Sequence, residues 1–280
     1  MLLPPQAERA IRIALEEDLI SGDVTSEATL LEGQVVRAVA TAKSALVVCG
    51  GAVFERVCQM VDNTIRVQLL IADGTRVAPG SQLWSVSGDT RSVLQAERTA
   101  LNFVQRMSGI ATLANDYVAA LAPGSTTRIA DTRKTTPGLR WFERYAVRAG
   151  GAHNHRDNLG SAVMIKDNHI AACGSIKDAV HRAKQYAPHT TRVEVEVEDL
   201  HMLEEALQAG ADIVMLDNFP AAALREAVVQ AKGRALVEVS GGITLERIHH
   251  LSQLGVDVIS CGALTHSAKA ADISLRIAKQ

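Results

Sequence analysis

Aromatic residues are scarce in this chain: Phe, Trp and Tyr together make up 3% of it, too few for the stacked rings on which single-stranded nucleic acids lie. Excess charge is missing as well. Lys and Arg number 29 against 31 Asp and Glu, a formal net charge of −2, whereas a nucleic-acid binder usually shows a high pI and a basic face. No apolar run approaches the ~18 residues of a membrane span. The opening MLLPPQAERAIRIALEED lacks a basic segment followed by an apolar one, so no secretory signal is expected. Cysteines are few, at 49, 58, 173 and 261, with no CxxC pair and no metal-ligand spacing. Reduced thiols in a cytoplasmic protein are their simplest interpretation. There is no HExxH helix and no GxGxxG after an early strand, which leaves zinc-protease and dinucleotide-binding assignments without support. Neither nucleic acid nor membrane is an expected partner.

What is present is gathered in one stretch. Between residues 131 and 169 stand Arg133, Lys134, Arg140, Arg144, Arg148, His153, His155, Arg156, Lys166 and His169. Dense positive charge in a near-neutral chain points to a compact polyanion, such as a phosphate ester or a small carboxylic acid. Arg140, Arg144 and Arg148 recur every four residues along one helical ridge, and a solvated face explains them about as well as a site does. Trp141 and Tyr145 fall on another face and are expected to pack inward. Arg133, Lys134 and Lys166 differ, because each closes a short apolar run and enters a turn-rich segment. Cations at the ends of buried strands need partners or a function. His153-Asn154-His155 has the letters of an HNH nuclease without its metal-binding neighbours. After the Gly150-Gly151 pair, His155 and Arg156 are better taken as anion donors.

The rest of the chain divides in two. Residues 5–18 have a helical stripe, 35–48 and 65–86 carry β-type patterning, 51–61 looks helical, and a long helical pattern covers 90–121. After it, apolar runs at 128–131, 162–166, 193–197, 212–216, 235–239 and 256–260 alternate with amphipathic segments at 139–149, 175–187, 199–209, 220–232 and 244–254. Such alternation predicts an α/β fold of parallel strands with right-handed crossovers. Polar and glycine residues collect at the strand ends, as a barrel's active face requires: Lys166-Asp167, Glu196, Asp217-Asn218, Ser240-Gly241-Gly242, Cys261-Gly262-Ala263. The glycine loops fit a phosphate cradle, though a plain strand-to-helix turn also accounts for Gly241, Gly242 and Gly262. Glu194, Glu196 and Glu198 alternate with valines and share one strand face, so that face needs cations or a metal. Glu196 and Asp217 are the expected Mg²⁺ ligands, and Glu194 and Glu198 are expected to make structural ion pairs.

The blocks AERTALNFVQRMSGIAT (96–112), DTRKTTPGLR (131–140), NHRDNL (154–159), IKDNHI (165–170), VEVEVED (193–199), IVMLDNF (213–219), EVSGGI (238–243) and ISCGALTHS (259–267) run in the order found in quinolinate phosphoribosyltransferases, and the chain resembles that family over nearly its whole length. The resemblance implies an N-terminal α/β sandwich domain (1–108, with 268–280 packing back on it) and an incomplete parallel α/β barrel (109–267). It implies a homodimer in which Arg98 is supplied across the interface. It implies that Arg98, Arg133, His155, Arg156 and Lys166 bind quinolinate, and that Lys134 lies between quinolinate and phosphoribosyl pyrophosphate. Thr132, Lys134, Glu196, Asp217, Ser240, Gly241, Gly242, Cys261, Gly262 and Ala263 would bind the latter, with Mg²⁺ at Glu196 and Asp217. The implied reaction gives nicotinate mononucleotide, pyrophosphate and CO₂. The alternatives are a relative acting on nicotinate or another acid, and a non-catalytic binder of a phosphate ligand. The chain departs from the family pattern at Ala149, Asn158 and Ser161, none of them an implied substrate contact.

Overall fold

The computed structural model describes residues 3–278, which form two compact units. Of the described residues, 3–115, 134–151 and 264–278 make up the first, and 116–133 and 152–263 the second.

In the first unit, helix α1 (Pro5–Leu19) begins on proline at N1, where the missing N–H is no loss, and buries Ala7, Ile11 and Leu15. The short α2 (Val24–Thr29) is capped by the Asp23 carboxylate, which accepts from the Ser26 amide at 3.0 Å. Strands β1 (Val35–Ala42), β3 (Arg66–Leu69), β5 (Gln82–Asp89) and β12 (Ile273–Ile277) make an antiparallel sheet in the order β12-β1-β5-β3. The C-terminal strand therefore pairs with the first, Ala42 opposite Ile273. A two-stranded ribbon joins β2 (Leu46–Val47) to β4 (Arg76–Val77). Helix α3 (Gly51–Val61) packs on this unit's core through Phe54, whose ring stacks on Trp84 of β5 at 5.1 Å between centroids. The long α4 (Thr90–Ala119) is tied to the β2 region by Ser108, whose hydroxyl accepts from the Cys49 amide. Helix α5 (Arg140–Ala149) completes the unit. Gly109 of α4 has no room for a side chain, since a Cβ would sit 2.0 Å from the Lys269 carbonyl oxygen.

The second unit is the strand–helix alternation expected from the sequence. Strands β6 (Arg128–Ala130), β7 (Val163–Ile165), β8 (Val193–Val197), β9 (Ile213–Asp217), β10 (Leu236–Ser240) and β11 (Val258–Ser260) are all parallel, in the order β6-β11-β10-β9-β8-β7. Helices α6 (Asp167–Cys173), α7 (Ile176–Tyr186), α8 (Leu200–Gln208), α9 (Ala221–Ala231) and α10 (Leu245–Gln253) connect them, and α11 (Ala263–His266) follows β11. The strand order is the chain order closed into a ring with one seam, because β6 pairs with β11 while β7 pairs only with β8. Beside β6 the place of a further strand is taken by a single parallel bridge, Ala130 to His153. The barrel is incomplete there.

Register decides which side chains meet inside. Glu196 pairs with Met215 and Met215 with Glu238, while Asp217 pairs with Ser240. Paired residues share a face, so Glu194, Glu196, Asp217, Glu238 and Ser240 lie on one side of β8, β9 and β10. The alternating residues Val193, Val195, Val197, Val214, Leu216, Val237 and Val239 are buried on the other side. Such a two-faced strand is unusual in parallel sheets, whose strands tend to be apolar throughout. Among the described residues no helix is long and apolar enough to cross a membrane.

Candidate active site

A chain of hydrogen bonds runs along the seam of the second unit. Asp131, fully buried just past β6, takes the Asn154 side-chain N–H on Oδ2 at 2.6 Å and the His155 amide on Oδ1 at 2.7 Å. The Asp131 amide in turn donates to the His153 carbonyl. One carboxylate thus holds residues 153–155 against β6, which is why three polar residues in a row adopt a single path. The His155 ring then turns inward. Its Nε2 lies 3.3 Å from Glu194 and 3.4 Å from Glu238, while Nδ1 accepts the Arg156 amide at 2.7 Å. Burial lowers the His155 pKa and the two glutamates facing Nε2 raise it by more, which holds the ring proton at Nε2 while Nδ1 accepts the Arg156 amide. Burial raises the Glu194 carboxyl as well.

Arg156 extends from the same loop, donating through Nη1 to the Ala162 carbonyl at 3.3 Å. Its pKa is lowered by burial and by the nearby Arg133 guanidinium, with Glu194 acting in the opposite direction. Two guanidinium groups brought close enough to oppose each other, with a buried acid behind them, make a local field suited to a carboxylate.

Next along the sheet, the Lys166 ammonium at the end of β7 is ion-paired with Glu196 Oε2. Asp217, at the end of β9, accepts from the Asn218 side chain at 3.0 Å. Asn218 stands at a positive φ of 49°, and Gly241 packs against it: a Cβ there would meet Asn218 Oδ1 at 2.2 Å, at a φ of +84°. Glycine at 241 is therefore demanded by its neighbour, whatever ligand the loop takes. Gly242 also has positive φ but faces open space apart from Arg247, whose Nη1 donates to its carbonyl at 2.7 Å. The Cys261 amide donates to Ala130 O, which registers the loop carrying Gly262 and Ala263 on β6. As hard-oxygen donors at the ends of neighbouring strands, Glu196 and Asp217 fit a divalent cation that keeps substrate oxygens in its shell.

Lys134, Arg98 and the α5 arginines belong to the first unit. The Lys134 side chain is exposed, and its carbonyl accepts the Thr265 hydroxyl at 2.8 Å. The loop after it is held by Glu143, fully buried, which accepts from the Thr136 amide and hydroxyl. Arg106 of α4 also donates to Glu143, at 2.8 Å, and reaches the Ala268 carbonyl at 2.9 Å. Arg98, exposed on α4, lies on a cleft that also includes Glu17, Asp18 and Arg106. The solvated ridge entertained for α5 does not survive: Arg144 is buried, Arg140 half-buried, and Arg148 exposed above the Tyr145 ring. Trp141 and Tyr145 are half-buried and stack on each other, and the Tyr145 hydroxyl donates to Asp73.

Comparison with known proteins bears on this assembly. Residues 23–108 match the family model described as the N-terminal domain of quinolinate phosphoribosyl transferase, and residues 110–276 match its C-terminal domain. The chain belongs to the quinolinate phosphoribosyltransferase family. Relatives of this family include the probable nicotinate-nucleotide pyrophosphorylase [carboxylating] of Bacillus subtilis, 43% identical over 93% of this chain and 90% of its own. The Mycobacterium leprae nicotinate-nucleotide pyrophosphorylase [carboxylating] is 42% identical over 96% of both. The crystal structure of NadC from Streptococcus pyogenes superposes with a TM-score of 0.94 at 43% identity, covering 100% of this chain and 99% of that one. A human nicotinic acid phosphoribosyltransferase superposes at 0.60 with 15% identity, covering 99% of this chain and 75% of that one. That likeness is one of fold alone.

The sequence reading missed several residues that organise this quinolinate phosphoribosyltransferase site. Glu238, Asn154 and Thr265 stand inside the family blocks without an assigned role, and Glu143 and Arg247 lie outside them. The repeated Glu-Val alternation of β10 with β8 was the one available signal for Glu238, since an acid inside a VEV strand needs a buried partner. Asn154 and Thr265 meet their partners across 23 and 131 residues of sequence.

Proposed function

We propose that this protein, as a quinolinate phosphoribosyltransferase, joins quinolinate to phosphoribosyl pyrophosphate with decarboxylation, in the synthesis of NAD precursors. The observation that carries this is the nearness of Arg133 to Arg156, felt as a lowering of the Arg156 pKa, together with the Lys166–Glu196 ion pair at the ends of β7 and β8. Two guanidinium groups and an ammonium suit a dianionic pyridine better than a monoacid. Lys166 leaves Glu196 for a substrate carboxylate, and Glu196 and Asp217 then become available to the ribose hydroxyls. Lys134 supplies a compact charge between the two substrates, and the loops of Ser240, Gly241, Gly242, Cys261, Gly262 and Ala263, with Thr132, take the 5′-phosphate end.

The bond changes follow from the substrates. The pyridine nitrogen attacks the ribose C1, and the C1–oxygen bond breaks with its electrons leaving on pyrophosphate. The developing positive charge on the sugar lies near Glu196 and Asp217, which stabilise it. The ring nitrogen is now cationic and stabilises the electron pair left on the adjacent ring carbon when its carboxylate departs as CO₂, and that pair then takes up a proton. Mg²⁺, held by Glu196 and Asp217, would neutralise charge on the pyrophosphate.

The exposed Arg98 is proposed to serve the site of a second copy. Four free cysteines, three of them buried, agree with a cytoplasmic setting. The test of substrate class is a comparison of kcat/KM for quinolinate and nicotinate with phosphoribosyl pyrophosphate and Mg²⁺. Preference for quinolinate by about 100-fold or more is expected from pairing a second carboxylate; equal values, or binding without pyrophosphate release, would replace this proposal by its alternatives.

A further inference from the structure

Glu194 and Glu238 have no part in the proposed chemistry, yet both carboxylates are buried inside the barrel, each 3% exposed. They stand on strands β8 and β10, with β9 between them, and both approach the Nε2 of His155. Glu238 Oε1 is buried with no hydrogen-bond partner among the described residues, and the His155 Nε2 at 3.4 Å is the cation that approaches it. Burying two like charges is costly, and apolar residues of similar volume usually serve a core as well or better. A purely structural purpose is thus poorly served by this pair.

Two uses of the trio compete. His155, Glu194 and Glu238 present donor atoms within 4.8 Å of one another, a spacing that admits a cation. A histidine that binds a metal through Nε2 carries its proton on Nδ1 and donates it to a second partner. Here Nδ1 instead accepts the Arg156 amide. The proton therefore sits on Nε2, between the two carboxylates, and no lone pair remains there for a metal. The ring is fixed from both sides: Nε2–H by the acids, Nδ1 by the main chain of Arg156, and the His155 amide by Asp131.

We propose that Glu194 and Glu238 are positioning residues for the acid-binding site, clamping the His155 imidazole so that it holds the Arg156 main chain and keeps the Arg156 guanidinium aligned beside Arg133. The clamp rests on the reading of Arg133 and Arg156 as diacid binders and deepens it. His155 then acts through its ring position and has no N–H left for substrate. Glu194 also lies close enough to Arg156 to offset part of its repulsion from Arg133, which keeps both guanidinium groups together before a diacid arrives.

The experiment measures binding of pyridine-2,3-dicarboxylate by calorimetry, the KM for phosphoribosyl pyrophosphate, and thermal unfolding, for the whole protein and for Glu238→Leu and Glu238→Gln. The leucine variant should unfold no earlier than the parent, bind the dicarboxylate about tenfold more weakly, and keep the phosphoribosyl pyrophosphate KM within about twofold. Glutamine retains an acceptor for Nε2–H and should restore affinity to within about threefold. A folded leucine variant with unchanged dicarboxylate affinity, or one losing both substrates equally, would overturn the clamp. Should the leucine variant not fold, the ¹⁵N shifts of His155 decide: a protonated Nδ1 in the parent overturns the proposal, as does one equivalent of transition metal retained after dialysis. Dicarboxylate affinity that falls as expected in a protein without quinolinate turnover would instead sink the functional reading and leave the clamp standing.

Discussion

Gly241 shows how a single position can be bound to its fold before any ligand is considered. Its φ of +84° lies where L side chains are strained, and Asn218 fills the space a Cβ needs. Gly241→Ala should lower stability by about 2 kcal/mol, read as a fall in the denaturant midpoint at constant slope; a midpoint equal to the parent's would mean that the loop relaxes freely. The cysteines offer a second residue-scale check. Burial pushes the Cys58 thiol up to about 12 and raises Cys49 too, and Cys261 is buried, so at pH 8 only the half-exposed Cys173 should react with a disulfide reagent in the native state. Labelling of more than one thiol without denaturant would contradict this burial. At this scale the strand-end cations and acids were legible because charge at the end of an apolar run is a local signal. Their partners were not, because Asp131, Glu238 and Arg106 meet theirs across 23 to 162 residues of sequence.

Helix α5 illustrates what an element's pattern conceals. Arginine every four residues looks like a solvated ridge, yet the helix buries Arg144 and Glu143 together. The Glu143 carboxylate ties Arg106 of α4 to Thr136, two residues after Lys134. Glu143→Ala should cost about 3 kcal/mol, because it leaves Arg106 half-buried and short of a partner. Lys134→Ala, at an exposed side chain, should leave the unfolding midpoint unchanged while lowering kcat roughly 100-fold. A kcat near that of the parent would remove Lys134 from the reaction. The six parallel strands and their helices were readable from alternation, and their ends fell within a few residues of expectation. The short α2, α6 and α11 were not, since a single turn or two gives no period to detect.

For the molecule as a whole, family membership, the seam in the barrel and the cluster of cations agree on one chemistry. The proposed exchange of Arg98 between copies has a distinctive consequence: Arg98→Ala and Lys134→Ala proteins, each inactive, should recover about a quarter of parental activity when dissociated and reassociated together, because half the dimers are mixed and each holds one intact site. No recovery, with mixed dimers shown to form, would place Arg98 in its own chain's site. The order of bond changes is the centre of the account, and carboxyl-labelled quinolinate tests it most directly. Labelled CO₂ should appear in step with pyrophosphate, one for one, and only when phosphoribosyl pyrophosphate is present. Release of CO₂ at the full rate without the sugar donor would contradict the account.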